Sequence, residues 1–174
     1  MQKNCTITGK IWLITDHQNT LINDIDTDMI FHNQYLAITD IDTMGQYTFD
    51  NLEGWKDFYS KAKKGDIVIV GKNFGAGSSR QQAVDCFASL GIQAILAESF
   101  GAIYKRNAIN SGMPIITITD IDLSKLSQRE EITIDLENGT VSNQYINIQP
   151  FSKVQFDIYK AGNLFTFGKK IIEK

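Results

Sequence analysis

The chain has little cysteine and little histidine: Cys5 and Cys86, His17 and His32, among 174 residues. Two cysteines this far apart make neither a disulfide framework nor a zinc site, and neither histidine stands at ligand spacing from them. Both thiols read as free and buried. A cofactor that needs several soft ligands must therefore come from another chain. No apolar run approaches the roughly 20 residues that span a bilayer. The start, Met1-Gln-Lys-Asn-Cys-Thr6, lacks the basic head and apolar stretch of a signal peptide, which predicts a cytoplasmic protein. A net charge of −3 with no basic cluster argues against nucleic-acid binding. Low-complexity tracts, internal repeats and proline-rich linkers are missing too. What remains is 43% hydrophobic and 21% charged, the composition of a globular domain with one core.

The pattern along the chain predicts an α/β domain. Residues 8–14 read as a strand, and 24–30 as an extended or looped Asp-rich segment. Leu52, Trp55, Phe58, Tyr59 and Ala62 fall at helical spacing, predicting a helix over 51–62. Strand 66–70, helix 79–90, strand 93–97, helix 100–110 and strand 115–119 then alternate, the signature of βαβ units and a parallel sheet. Ala83, Val84, Phe87, Ala88 and Leu90 are the expected buried stripe of the 79–90 helix. Two alternating runs, 131–136 and 141–148, flank Asn138-Gly139 and predict a C-terminal hairpin. A closing helix over 150–161 would bury Phe151, Val154, Ile158 and Ala161. The whole chain, 1–174, reads as a single domain with 31–65 as an excursion from it.

Chemistry concentrates in Gly71-Lys-Asn-Phe-Gly-Ala-Gly-Ser-Ser-Arg80, at the predicted strand-to-helix junction. Three glycines allow a sharp passage, and unpaired amides at a helix start favour an anion. The segment is neither a P-loop, having Gly77 where the lysine belongs, nor a dinucleotide fingerprint, having Arg80 in place of the third glycine. Ser78 and Ser79 therefore read either as substrate-facing hydroxyls or, for Ser78, as a helix cap. Arg80, expected in the first helical turn, opposes the helix dipole, and a bidentate grip on a carboxylate would offset that cost. The Asp24, Asp26, Asp28 series resembles a calcium loop but has Met29 and Tyr35 at the positions that need Gly and Glu. Lys105 and Arg106 read as a solvated face.

Four segments match one family in the same order: 71–80, Asp26-Thr-Asp-Met-Ile30, Tyr35-Leu36, and Tyr104-Lys-Arg-Asn-Ala-Ile-Asn-Ser-Gly-Met-Pro114. They resemble the small subunits of 3-isopropylmalate dehydratase, in the aconitase superfamily, over essentially the whole chain. The resemblance implies a swivelling β/β/α domain with a mixed sheet. It implies a large-subunit partner that carries a [4Fe–4S] cluster, with no cofactor bound by this chain. By the same resemblance Ser78 is the catalytic base, and Ser79, Arg80, Asp28 and Thr27 bind a small hydroxy dicarboxylic acid. The loop Leu36-Ala37-Ile38-Thr39 sets specificity in such proteins, and an apolar loop suits an isopropyl group better than a further carboxylate. The expected activity is interconversion of 2- and 3-isopropylmalate by dehydration and rehydration, as in leucine biosynthesis. Homoaconitate, citraconate or dimethylmalate are alternative substrates, and a non-catalytic anion-binding domain is the alternative of another class. Gln81 departs from the glutamate usual in the family, and the resemblance implies that the missing charge either changes the orientation of Arg80 or strengthens its positive field.

Overall fold

The computed structural model describes residues 4–173. Seven strands form one mixed sheet: β1 (Thr6–Leu13), β2 (Ile67–Val70), β3 (Ala94–Ala97), β4 (Ile115–Ile121), β5 (Glu131–Asp135), β6 (Thr140–Val141) and β7 (Ile146–Ile148). Their order is β6-β5-β1-β2-β3-β4-β7. The central four run parallel, with Ile11 opposite Ile67, Ile67 opposite Ala94 and Ile95 opposite Ile115. β5 and β7 join antiparallel at the two sides. The sheet curls until β6 and β7, its opposite edges, come close to each other, so the whole is nearly a barrel.

Both faces of the parallel strands are buried, which is why β2 and β3 read as unbroken apolar runs. Period two still sorts them. Val68, Val70, Ile95 and Ala97 join one core cluster, whereas Ile67, Ile69, Ala94 and Leu96 join the other. The first cluster lies under α4 (Gln82–Leu90) and α5 (Ala102–Asn110) and holds the aromatic residues Phe31, Phe49, Phe58, Phe74, Phe87 and Tyr104. The second fills the curl of the sheet with Ile, Leu and the inner residues of α6 (Lys153–Ala161), Phe156 and Tyr159.

The 31–65 excursion contributes to the first cluster. It consists of single turns, including α2 (Ile41–Met44) and α3 (Phe58–Lys61), preceded by the one-turn α1 (Thr27–Ile30). Phe49 and Phe58 are fully buried, and the Ser89 hydroxyl of α4 receives the Gly45 amide and donates to the Asp42 carbonyl. The predicted helix over 51–62 is therefore corrected to one turn, 58–61. Successive three-residue turns tie Leu52 to Phe49, Trp55 to Leu52 and Phe58 to Trp55. That spacing of three imitates a helical stripe without making a helix.

Other differences are local. The 24–30 segment ends in a helical turn because the Asp26 side chain accepts the amides of Asp28 and Met29. In α4 Cys86 is buried and Ala88 exposed. The β5–β6 hairpin exists, yet the second run stops at Val141, and β7 crosses to the far side of the sheet. In α6 the buried residues are Phe156, Ile158 and Tyr159, and Val154 is exposed. A further helix, α7 (Leu164–Ile172), follows Asn163, whose side chain caps it. Cys5 is half-buried and Cys86 fully so; burial pushes the Cys86 thiol up to about 12. Among the described residues no helix is long and apolar enough to cross a membrane.

Candidate active site

The 71–81 segment leaves the carboxyl end of β2, the end at which open α/β sheets place their ligand crevices. Backbone bonds seat it between two neighbours: Gly75 N to Ile25 O (2.8 Å) and Thr27 N to Ala76 O (2.9 Å) on one side, Phe74 N to Ser99 O (3.0 Å) and Gly101 N to Phe74 O (2.8 Å) on the other. Gly75, at φ +77°, lies directly on the buried Tyr104 ring, where an added Cβ would stand 2.2 Å from Tyr104 Cγ. Tyr104 is itself fixed by its hydroxyl donating to Ala83 O at 3.2 Å. The loop is thus placed by packing rather than by propensity.

Helix α4 begins only at Gln82, and Gln81 precedes it without a side-chain capping bond. Ser78 is therefore not the helix cap, and Arg80 lies before the first turn rather than in it. Both expectations fail for one reason: the left-handed backbone at Gly75 and Gly77 delays the start of the helix. What remains is an exposed passage. Among the described residues the backbone N–H groups of Ser78, Ser79, Arg80 and Gln81 donate to no acceptor in the chain. Successive free amides of this kind suit an anion.

The side chains meet around that passage. Arg80 Nη1 donates to Asp28 Oδ1 at 2.7 Å and to Phe31 O at 3.1 Å, and its side chain is only 14% exposed. Asp28 Oδ1 also accepts Asn33 N (2.9 Å), Oδ2 accepts Asn51 Nδ2 (3.3 Å), and His32 Nε2 lies 3.9 Å from Oδ2. The Arg80 guanidinium first, and then the Asn33 amide, hold the Asp28 carboxyl below the usual range against the opposing effect of burial. Thr27 is 3% exposed and its hydroxyl donates to the Ser78 carbonyl at 3.0 Å, so it supports the Ser78 backbone from beneath. Ser78 itself is exposed, and among the described residues its hydroxyl makes no hydrogen bond. Ser79 is exposed and accepts the Asn107 side-chain amide at 3.3 Å.

The 36–39 loop is tied to α4 by Gln82 Nε2 donating to Leu36 O at 3.3 Å. Ile38 packs against the aromatic core, while Leu36, Ala37 and Thr39 are exposed. Gln81 turns away from Arg80; its amide donates to Asp85 Oδ1 (2.9 Å) and Ser111 Oγ (2.8 Å). Among the described residues the Gln81 side chain makes no hydrogen bond to Arg80. Lys105 and Arg106 are exposed.

Sequence reasoning missed Asn107, Asn51 and His32. Asn107 carried a usable signal: it follows the inward-facing Tyr104 by three residues on one helix, and so lies on the loop side of α5. Asn51 and His32 lie in irregular turns whose direction no period encodes. Among the described residues no three His, Cys, Asp or Glu side chains are grouped as metal ligands.

Residues 9–120 match the model of the aconitase C-terminal domain family. The small subunit of 3-isopropylmalate dehydratase from Saccharolobus islandicus is 37% identical over 149 residues, 84% of this chain and 88% of that protein. Small subunit 1 of the same enzyme from Archaeoglobus fulgidus is 34% identical over 170 residues, 95% of this chain and 99% of that protein. The crystal structure of 3-isopropylmalate dehydratase (LeuD) from Methanocaldococcus jannaschii superposes with a TM-score of 0.80 at 31% identity, covering 97% of this chain and 96% of the other.

Proposed function

The chain belongs to the family of 3-isopropylmalate dehydratase small subunits, and we propose that within such a heteromeric hydro-lyase Ser78 acts as the base on a 2- or 3-isopropylmalate bound against Ser79 and Arg80. The observation that carries this reading is the Ser78 hydroxyl: exposed, unengaged among the described residues, and set in a run of free backbone amides beside the Asp28–Arg80 pair.

A serine hydroxyl is a weak base unless its environment favours the alkoxide. Free amides and a neighbouring guanidinium do so, because both stabilise negative charge on oxygen. Ser78 Oγ takes the proton from the carbon next to a substrate carboxylate. The electron pair left behind forms the carbon–carbon double bond as the hydroxyl on the adjacent carbon departs as hydroxide with its bonding pair, while Ser78 holds the abstracted proton. Addition of hydroxide to the other carbon, with Ser78 giving that proton to the carbon the hydroxyl left, yields the isomeric hydroxy acid. A [4Fe–4S] cluster on the large subunit would supply the Lewis acid for the departing hydroxyl. This chain's part is to bind, orient and move the proton.

Arg80 is held edge-on by Asp28 and Phe31 O through Nη1. Its remaining guanidinium N–H groups and the Ser79 hydroxyl are the donors offered to the substrate carboxylate. Asp28 thus orients Arg80, and Thr27 fixes the Ser78 backbone. Leu36 and Ala37 give the specificity loop an apolar exposed surface, which suits an isopropyl group and leaves a further carboxylate unpaired. The test is anaerobic reconstitution with the large subunit, following the ultraviolet absorbance of the unsaturated intermediate. Ser78→Ala is expected to lower kcat by more than about 100-fold with assembly intact, the scale of a lost general base. Full activity in that variant removes Ser78 as the base. A panel of malate derivatives decides between isopropylmalate and the related acids.

A further inference from the structure

We propose that Asn107 is a positioning residue for Ser79, orienting its hydroxyl so that the proton points outward to a substrate carboxylate. The inference rests on the reading of the site given above and adds to it a residue from α5.

Asn107 Nδ2 donates to Ser79 Oγ at 3.3 Å. A donor on the serine oxygen occupies one lone pair and leaves the hydroxyl hydrogen free to turn to another acceptor. A substrate carboxylate is such an acceptor, and a hydroxyl that already receives a hydrogen bond donates the next one more strongly. With that amide removed, the Ser79 hydroxyl is free to choose other rotamers.

Asn107 is not a lone surface contact. Its backbone carbonyl accepts both the amide (3.0 Å) and the hydroxyl (2.9 Å) of Ser111. The Ser111 oxygen accepts Gln81 Nε2, which also reaches Asp85 Oδ1. Gln81 is two residues beyond Ser79, so the chain of bonds closes into a ring: Gln81 to Ser111, Ser111 to Asn107, Asn107 to Ser79. Every donor in it runs the same way and the last free hydrogen is that of Ser79. The ring also accounts for an amide at position 81. A carboxylate there has no hydrogen to give to Ser111 and would face Asp85, one helical turn on, with like charge.

The experiment uses the reconstituted heteromer with 3-isopropylmalate. Asn107→Ala is expected to raise KM about fivefold, the effect of one net hydrogen bond, with kcat changed less than about twofold. Asn107→Asp keeps the shape but offers only acceptors; the introduced carboxylate takes the Ser79 hydrogen, and KM should rise further. In a Ser79→Ala background, Asn107→Ala should add nothing, because its effect passes through that hydroxyl. Unchanged KM in both Asn107 variants, or effects of Asn107→Ala and Ser79→Ala that multiply, overturns the proposal. Thermal melting of each variant separates loss of folding, and Asn107→Asp carries the test should Asn107→Ala not fold. An inactive wild-type pair would instead remove the reading of the site itself, so the two failures are distinct.

Discussion

Replacing Gly75 by alanine tests whether packing on Tyr104 places the 71–81 loop. Two costs arise. The backbone at Gly75 has φ +77°, and an L-residue pays about 1–2 kcal/mol there. The new Cβ would also stand 2.2 Å from Tyr104 Cγ, 2.5 Å from its Cβ and 2.6 Å from Cδ2. Tyr104 has little room to move: it is buried, its hydroxyl is bonded to Ala83 O, and its ring stands edge-on to Phe74 at 5.2 Å. Overpacking of this kind adds about 1–3 kcal/mol. Gly54 supplies the control, with nearly the same φ, +80°, and no atom within 4 Å of an added Cβ. Alanine at either site gains the same small benefit from a stiffer unfolded chain, so that term cancels in the comparison. Urea unfolding should therefore show Gly75→Ala less stable than Gly54→Ala by about 1–3 kcal/mol, or roughly 5 °C in Tm for a chain of this size. Activity of the reconstituted enzyme should fall only in Gly75→Ala. Equal stability loss in the two variants would show that the loop yields freely and that Tyr104 does not position it.

Arg129 pairs with the 4%-exposed Asp66 through two bonds, 2.7 and 2.9 Å, and its guanidinium lies 4.3 Å from the Trp12 ring centre. Arg129→Ala leaves a buried carboxylate without its cation and should cost about 2–4 kcal/mol in urea unfolding at neutral pH, less than a wholly buried pair because Arg129 is partly solvated. Burial alone pushes Asp66 up, but Arg129, the Lys63 amide and the Trp12 indole together bring it below the usual range. Its stabilisation is thus present above an unfolded pKa of about 4 and is lost as pH falls through the lower folded value. Wild type should lose more stability than Arg129→Ala on acidification below about pH 4; parallel losses would refute the linkage. Ala37→Arg, at an exposed loop position, should shift kcat/KM tenfold or more toward a substrate with an additional distal carboxylate, the scale of one charge-assisted bond. Unchanged preference across the malate panel would show that the loop does not select substrate.

The parallel core was legible because Val68, Val70, Ile95 and Ala97 on one face and Ile67, Ile69, Ala94 and Leu96 on the other are all apolar, and runs buried on both faces carry a plain signal. The excursion was not. Phe49, Leu52, Trp55 and Phe58 are spaced by three because each turn closes on the last, and a helix shares that spacing closely enough to mislead. Helix α7 escaped notice for the opposite reason. Its Leu164, Phe165, Ile171 and Ile172 are exposed, Phe165 at 77%, so burial does not explain them. At the site, Ser78, Ser79, Arg80 and Asp28 were legible as a group through their motifs, and the structure brings Asp28 to Arg80. The start of α4 was misplaced, since left-handed glycines decide it and their conformation cannot be counted from spacing. The place of Asn107 on the loop side of α5 was legible from Tyr104 three residues before it, but its partner was not, because Ser79 is 28 residues away.

The sheet order has a consequence for how the molecule is made. β1 enters the centre of the sheet, but its antiparallel partner β5 lies about 125 residues later, with Thr8 opposite Thr133. The Tyr159 hydroxyl likewise closes on the Asn4 carbonyl. A chain leaving the ribosome can assemble β1 to β4 while one edge of β1 is still unpaired, and that edge stays open until the last quarter is synthesised. Contacts so distant in sequence slow folding and prolong the life of an uncovered strand edge. The segment from β5 onward is therefore the step that finishes the fold, and shortening the chain before Glu131 would leave a half-sheet inclined to pair with its neighbours.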